Sequence, residues 1–108
     1  MPWQSGDPHL DYLLDITDYY EHPDHVDPDS IDATIARLRK ESGLKGTKTA
    51  QAIASWADGR IAVYNDEYEN AQAYDSIALS TADSTATPYL YARIKLDMAD
   101  LTENPSLR

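Results

Sequence analysis

Apolar side chains recur every three or four residues through five stretches of the chain, and none of these stretches alternates with a period of two. Successive residues advance about 100° around an α-helix, so this spacing predicts helices with one buried face. The longest stretch, Thr47 to Asn65, organises the rest. In it Ala50, Ile53, Ala54, Ala57, Ile61 and Tyr64 share an arc about 100° wide, and Ala52, Trp56 and Val63 widen it to roughly 200°. Gln51, Ser55, Asp58 and Asn65, with Ala62, are left for water. A helix apolar around more than half its circumference has neighbours on two sides. Gly59 is its weak point, since glycine costs about 1 kcal/mol against alanine inside a helix. Asp58-Gly59 also reads as a turn into a short strand, Arg60 to Tyr64. No partner strand is evident elsewhere, which favours one continuous helix.

Asp7-Pro8, Asp27-Pro28 and Thr87-Pro88 each set a capping side chain before a proline at the first helical position, where its missing N–H costs nothing. Helix one then runs to His22-Pro23. Leu10, Leu13, Leu14, Thr17 and Tyr20 share one of its faces, and Tyr12, Ile16 and Tyr19 a second. Helix two covers about residues 28–42, with Ile31, Thr34, Ile35 and Leu38 inward. Gly43 is its stop, and Leu44 is expected to fold back on the last turn. Thr47 or Thr49 caps the central helix. A fourth helix follows Asn65-Asp66 and runs to about Ser80, with Tyr68, Ala71, Tyr74, Ala78 and Leu79 on its apolar face. Asp75 falls inside that face and requires either a place at the rim or pairing with a base such as Arg60. Residues 80–87 are small and polar and predict a flexible loop. Helix five, Pro88 to about Thr102, sets Leu90, Tyr91, Ile94, Met98 and Leu101 on one side, with Tyr89 and Leu96 away from it. The expected fold is all-α: an antiparallel helical bundle of about five helices in a single domain, residues 1–108, with 1–6 and 104–108 frayed.

Composition narrows the chemistry. A chain of 108 residues has room for one core. It has no Phe, so its 8 Tyr and 2 Trp supply the aromatic bulk. The lack of Cys excludes disulfides, a thiol nucleophile and zinc–thiolate sites. No apolar run is long enough to span a bilayer, and no basic-then-apolar leader opens the chain, so a cytoplasmic location is expected. With 9 basic against 19 acidic residues the net charge is −10. That disfavours direct binding to nucleic acid, whose phosphates need a basic surface. It fits a solvated acidic surface or one built for a basic partner.

The charge is also unevenly placed. Residues 1–36 carry nine acids and no Lys or Arg, and then Arg37, Arg39, Lys40, Lys45 and Lys48 arrive together. Much of this follows from helix two alone. Asp27, Asp29 and Asp32 lie at its start and Arg37, Arg39 and Lys40 at its end, complementing the helix dipole. On helix one, Asp11, Asp15, Asp18 and Glu21 fall on one side. An exposed acidic face of that kind suits a decoy that imitates nucleic acid, and it equally suits plain solvation.

Candidate chemistry is sparse. His22 and His25, with Glu21, Asp24, Asp27 and Asp29, form the one metal-like cluster, in a loop stiffened by Pro23 and Pro28. A solvated connection is the simpler reading, and no metal or cofactor is expected. Gly46-Thr47-Lys48 opens a helix, where an anion can be held. Helix two, Leu44 and the central helix also mimic a helix-turn-helix, but the upstream acids oppose DNA contact. No serine sits in a nucleophile elbow, and no enzyme is expected.

Two resemblances give these features a direction. Gly59, Tyr68, Ala71, Ala78 and Leu79 are spaced as in a tetratricopeptide repeat, and the hairpin at 59–79 resembles one such unit. That implies a protein–protein interaction scaffold. The chain length, the opening Trp3-Gln4-Ser5-Gly6, and the run from Leu13-Leu14-Asp15 through Glu21-His22-Pro23 to the central helix resemble bacteriocin immunity proteins. This second likeness implies a small cytoplasmic antiparallel four-helix bundle that protects a bacterium from its own peptide by engaging a membrane receptor. It also implies that the segment from about Ser80 onward carries recognition. Tyr89, Tyr91 and Arg93 are the candidate contact patch there, because Tyr and Arg often anchor interfaces. The expected function is non-catalytic binding of another protein, either a membrane-associated receptor or a basic protein.

Overall fold

The computed structural model describes residues 3–103, with side chains through 101. Five helices follow one another: α1 (Pro8–Glu21), α2 (Pro28–Gly43), α3 (Lys48–Tyr64), α4 (Tyr68–Thr81) and α5 (Pro88–Glu103). No strand occurs among the described residues. The fold is all-α. Short connections force each helix to return alongside its predecessor, giving an antiparallel bundle. α3 lies in the middle, against α2 on one flank and α4 on the other, while α1 packs on α2 and α5 on α4.

Local chemistry sets the helix ends. The Asp7 carboxylate accepts from the N–H groups of His9 and Leu10, and Asp27 accepts from Ser30. Thr47 caps α3 through Ala50 N–H. α3 runs unbroken through Gly59, which is buried. Gly43 ends α2 as its last helical residue, and Leu44 stands 77 % exposed instead of folding back. Residues 83–86 form an ordered turn in place of the expected flexible loop. Asp83 accepts there from the N–H groups of Thr85 and Ala86, and the buried Thr87 donates its hydroxyl to Asp83 O.

The core joins Leu10, Leu13 and Leu14 of α1, Ile31, Ile35 and Leu38 of α2, Ile53 and Trp56 of α3, and Leu90 and Ile94 of α5. Several expectations change. Ala62 faces inward, where it packs with Ala71 and Leu101, whereas Tyr64 is exposed. Tyr74 is exposed too, so α4 buries only Ala71, Asp75 and Ala78 outright. Asp75 is not at a rim: it is 1 % exposed and pressed against Gly59.

The largest correction concerns the start of the chain. Residues 3–6 do not fray, and residues 1–2 and 104–108 lie outside the described residues. Gln4 and Gly6 take left-handed backbone angles, φ 51° and 86°, which fold the segment back over the bundle. Ser5 N–H then bonds to Asp11. Trp3, 1 % exposed, is driven in beside Trp56 with ring centroids 6.1 Å apart, and Tyr89 meets it edge-on at 4.6 Å.

Candidate functional site

Trp56, Arg60 and Tyr64 stand at i, i+4 and i+8 on α3 and so share one face, turned toward α1 and α5. α5 offers Arg93 and Asp97, again one turn apart, and α1 offers Asp15, Asp18 and Glu21. Together they form a partly buried polar cluster. Trp56 Nε1 donates to Asp97 Oδ2 at 2.7 Å, and Arg60 Nη1 lies 3.5 Å from the same oxygen. Arg60 Nη2 donates to Glu21 and to the Tyr64 hydroxyl, which itself donates to Glu21 Oε2 at 2.7 Å. Arg93 pairs with Asp18, and its guanidinium lies over both indole rings, 5.7 Å from Trp3 and 5.9 Å from Trp56.

Charge and burial compete within this cluster. Burial by itself would ease a proton off Arg60, but Glu21, Asp97 and Tyr64 hold it more firmly than usual. Burial also pushes Asp97 up, against the pull of Arg60 and the Trp56 N–H. Burial raises Tyr64 to about 12. Asp75 lies behind, with burial and then the like charge of Asp97 raising it to about 7 while Arg60 opposes. Glu21 Oε1, Arg60 Nε and Asp75 Oδ1 are buried without a hydrogen-bond partner.

A cleft of about 460 Å³ opens over the outer edge of this cluster, lined by Glu21, Val26, Pro28, Ile31, Asp32, Arg60 and Tyr64. A second hollow of about 190 Å³ shares Asp32 and Tyr64 and extends along α2 and α3 past Ile35 and Ile61 to Asn65. The α1–α2 connection forms the rim. It is held by Asp27 N–H bonding back to Tyr20 O and by the His25 ring stacked on Tyr19 at 3.9 Å. Val26 and Tyr64 are exposed at the mouth, 56 % and 41 %. Asp32 has no ion-pair partner among the described residues. The arrangement suits a side chain that is apolar along its stem and cationic at its tip.

The chain matches no protein-family model, no curated protein and no solved structure.

The candidates from the sequence fall in several places. Asp11, Asp15, Asp18 and Glu21 do share a side of α1, but that side faces the protein. Asp11 binds Ser5 N–H, Asp15 accepts from Trp3 Nε1 at 2.9 Å, Asp18 holds Arg93, and Glu21 holds Arg60. The exposed strip that a nucleic-acid decoy requires is thus replaced by four internally engaged carboxylates. Of the contact patch, Arg93 is bound into the cluster and Tyr89 braces Trp3, while Tyr91 lies beside Lys95. His22 and His25 stand 4.9 Å apart, ring to ring. His22 Nδ1 accepts from Asp24 N–H, and His25 Nδ1 lies 2.7 Å from Tyr19 O. Among the described residues no group of three or more His, Cys, Asp or Glu side chains could hold a metal ion. Thr47 Oγ1 caps α3 by accepting from Ala50 N–H, which takes up one of the backbone donors that the helix start at Gly46-Thr47-Lys48 would offer an anion.

Sequence reasoning missed Trp3, Arg60, Tyr64 and Asp97 as one unit. The i, i+4, i+8 series on α3 and the Arg93–Asp97 pair were the available signals. Nothing in the spacing tells that α1 is the helix they meet.

Proposed function

We propose that this chain is a non-catalytic domain that binds another protein, and that the cleft between the α1–α2 connection and α3 receives a basic segment of that partner. The observation that carries this reading is the make-up of the cleft: apolar Val26, Pro28 and Ile31, an exposed Tyr64 ring, and Asp32 free to pair. Arg60 adds little positive charge there, because Glu21 and Asp97 already engage it. A lysine or arginine of the partner would lie along the apolar wall and pair with Asp32, with Tyr64 beside its charge.

Within that class the bacteriocin-immunity reading remains the most specific proposal. Support comes from the small all-α bundle and from the absence, among the described residues, of any helix long and apolar enough to cross a membrane. On this reading the domain works on the cytoplasmic side, against a membrane-associated receptor or a basic peptide. The recognition surface is then the cleft and not the α5 patch, since Tyr89 and Arg93 brace the core. A tetratricopeptide-like scaffold is the second reading, favoured by the close α3–α4 crossing at Gly59 and Ala71. It lacks an open groove between α1, α3 and α5, where Trp3, Trp56 and Arg93 fill the space.

The test is protection. The immunity reading expects a small secreted peptide to be encoded beside the gene, and a sensitive bacterial strain expressing this chain is challenged with that peptide. The reading expects survival with the wild-type chain and loss of survival with Asp32→Lys, at equal expression. Equal killing with and without the wild-type chain overturns the immunity reading. Full protection by Asp32→Lys overturns the cleft.

A further inference from the structure

Among the described residues Asp75 is the one charged residue that is buried, at 1 % exposure, and it sits in the seam between α3 and α4. α4 meets α3 through Ala71 and Asp75 against Gly59, with Ala78 the only other fully buried side chain it contributes. Gly59 lets the helices approach so closely that a Cβ there would run into the Asp75 carboxyl, 3.2 Å from Cγ, and lie 3.4 Å from Ala71 O. Oδ1 has no hydrogen-bond partner. α4 also starts without a side-chain cap, at Glu67. α4 holds to α3 through this close approach, with Tyr68 and Leu79 packing at its margins, so the state of Asp75 bears on the whole seam.

Two charged groups bear on Asp75 from the packed elements, Asp97 on α5 and Arg60 on α3. Arg60 is already shared between Glu21 of α1 and Asp97. Among the described residues no other cation bears on Asp75, and its carboxyl already fills the space that a side chain at Gly59 would take. A neutral carboxyl fits this place, and an ionised one must reach solvent.

We propose that Asp75 is a proton-operated latch on the α3–α4 seam: protonated, it lets α4 close on Gly59, and ionised, it drives α4 away from α3. The inference is independent of the cleft and of any partner. When the latch opens, Tyr68–Thr81 loses protection while α1 and α2 keep theirs. The raised affinity of Asp75 for its proton places the change near neutral pH.

The experiment is amide hydrogen exchange of the full chain from pH 5 to pH 8.5, read by peptide and corrected for intrinsic rates. Opening of α4 should rise by up to about tenfold per pH unit below pH 7 and level off above it. Asp75→Asn, which keeps the shape of the protonated side chain, should give the same α4 opening at every pH. Asp97→Asn removes the like charge but keeps an oxygen for Trp56, so the midpoint should move to lower pH. An α4 opening independent of pH in the wild type overturns the latch, as does an Asp75→Asn profile identical to a pH-dependent wild type. If Asp75→Asn does not fold, the Asp97→Asn shift alone decides, and an unmoved midpoint overturns the proposal.

Discussion

Gly59 and Asp75 divide one small space between them. Gly59→Ala gains helix propensity of about 1 kcal/mol but forces its methyl into the Asp75 carboxyl and the Ala71 carbonyl. Overpacking of this kind costs about 1–3 kcal/mol, so urea denaturation should show net destabilisation. Gly43→Ala makes the contrast. There the new methyl meets only the guanidinium end of Arg39, which can swing aside, so stability should be unchanged or slightly raised. Asp75 itself sets a pH dependence. Its proton leaves at about 7 in the folded chain and near 3.8 unfolded, so the folded chain holds more protons between those values. Stability is therefore greatest below that window, falls as pH rises through it, and is level above about 7. The loss is at most on the order of 4 kcal/mol. Denaturation midpoints should fall from pH 5 to 6 to 7 and change little from 7 to 8 in the wild type, and the fall should flatten in Asp75→Asn. A residual slope in the variant belongs to Asp97, which is raised as well.

At the scale of the elements, α4 differs from the three helices before it in how it starts. Asp7, Asp27 and Thr47 bond the first turns of α1, α2 and α3, whereas Glu67 offers α4 no such bond. Glu67→Ser should raise the unfolding free energy by about 1 kcal/mol and slow amide exchange in α4 at every pH. Helices and caps were readable in advance because they depend on neighbours three or four residues away. The arc of α3 around Ile53, Trp56 and Ala57 was readable for the same reason. Asp75 was visible as a misfit in its face, but its burial was not, since that depends on Gly59 sixteen positions earlier. Trp3 escaped entirely: its tie to Trp56 and Tyr89 crosses most of the chain, and no local pattern encodes it. Truncating Trp3→Ala should cost about 3 kcal/mol, which a frayed terminus would not.

For the whole molecule, the charge asymmetry of the sequence becomes a matter of assembly. α1 presents its acids inward, and the basic groups come to them from later in the chain: Lys45 to Asp7, Arg60 to Glu21, Arg93 to Asp18. Helix two accounts for Arg37 and Lys40, but not for these three links. They tie α1 to the α2–α3 connection, to α3 and to α5, and they leave Asp32 at the open cleft. The exposed Lys45–Asp7 pair contributes little. The Glu21–Arg60 pair is mostly buried and shared with Tyr64, so removing either partner leaves an uncompensated charge. The claim that the acidic side of α1 is an internal clasp is tested most directly by a double-mutant cycle on Glu21→Gln and Arg60→Met, followed by urea denaturation. The two single changes should each destabilise the fold, and the double variant should recover part of the loss, giving a coupling of about 2 kcal/mol. Additive losses, with a coupling below about 0.5 kcal/mol, would mean that Glu21 and Arg60 act separately and that the clasp does not exist.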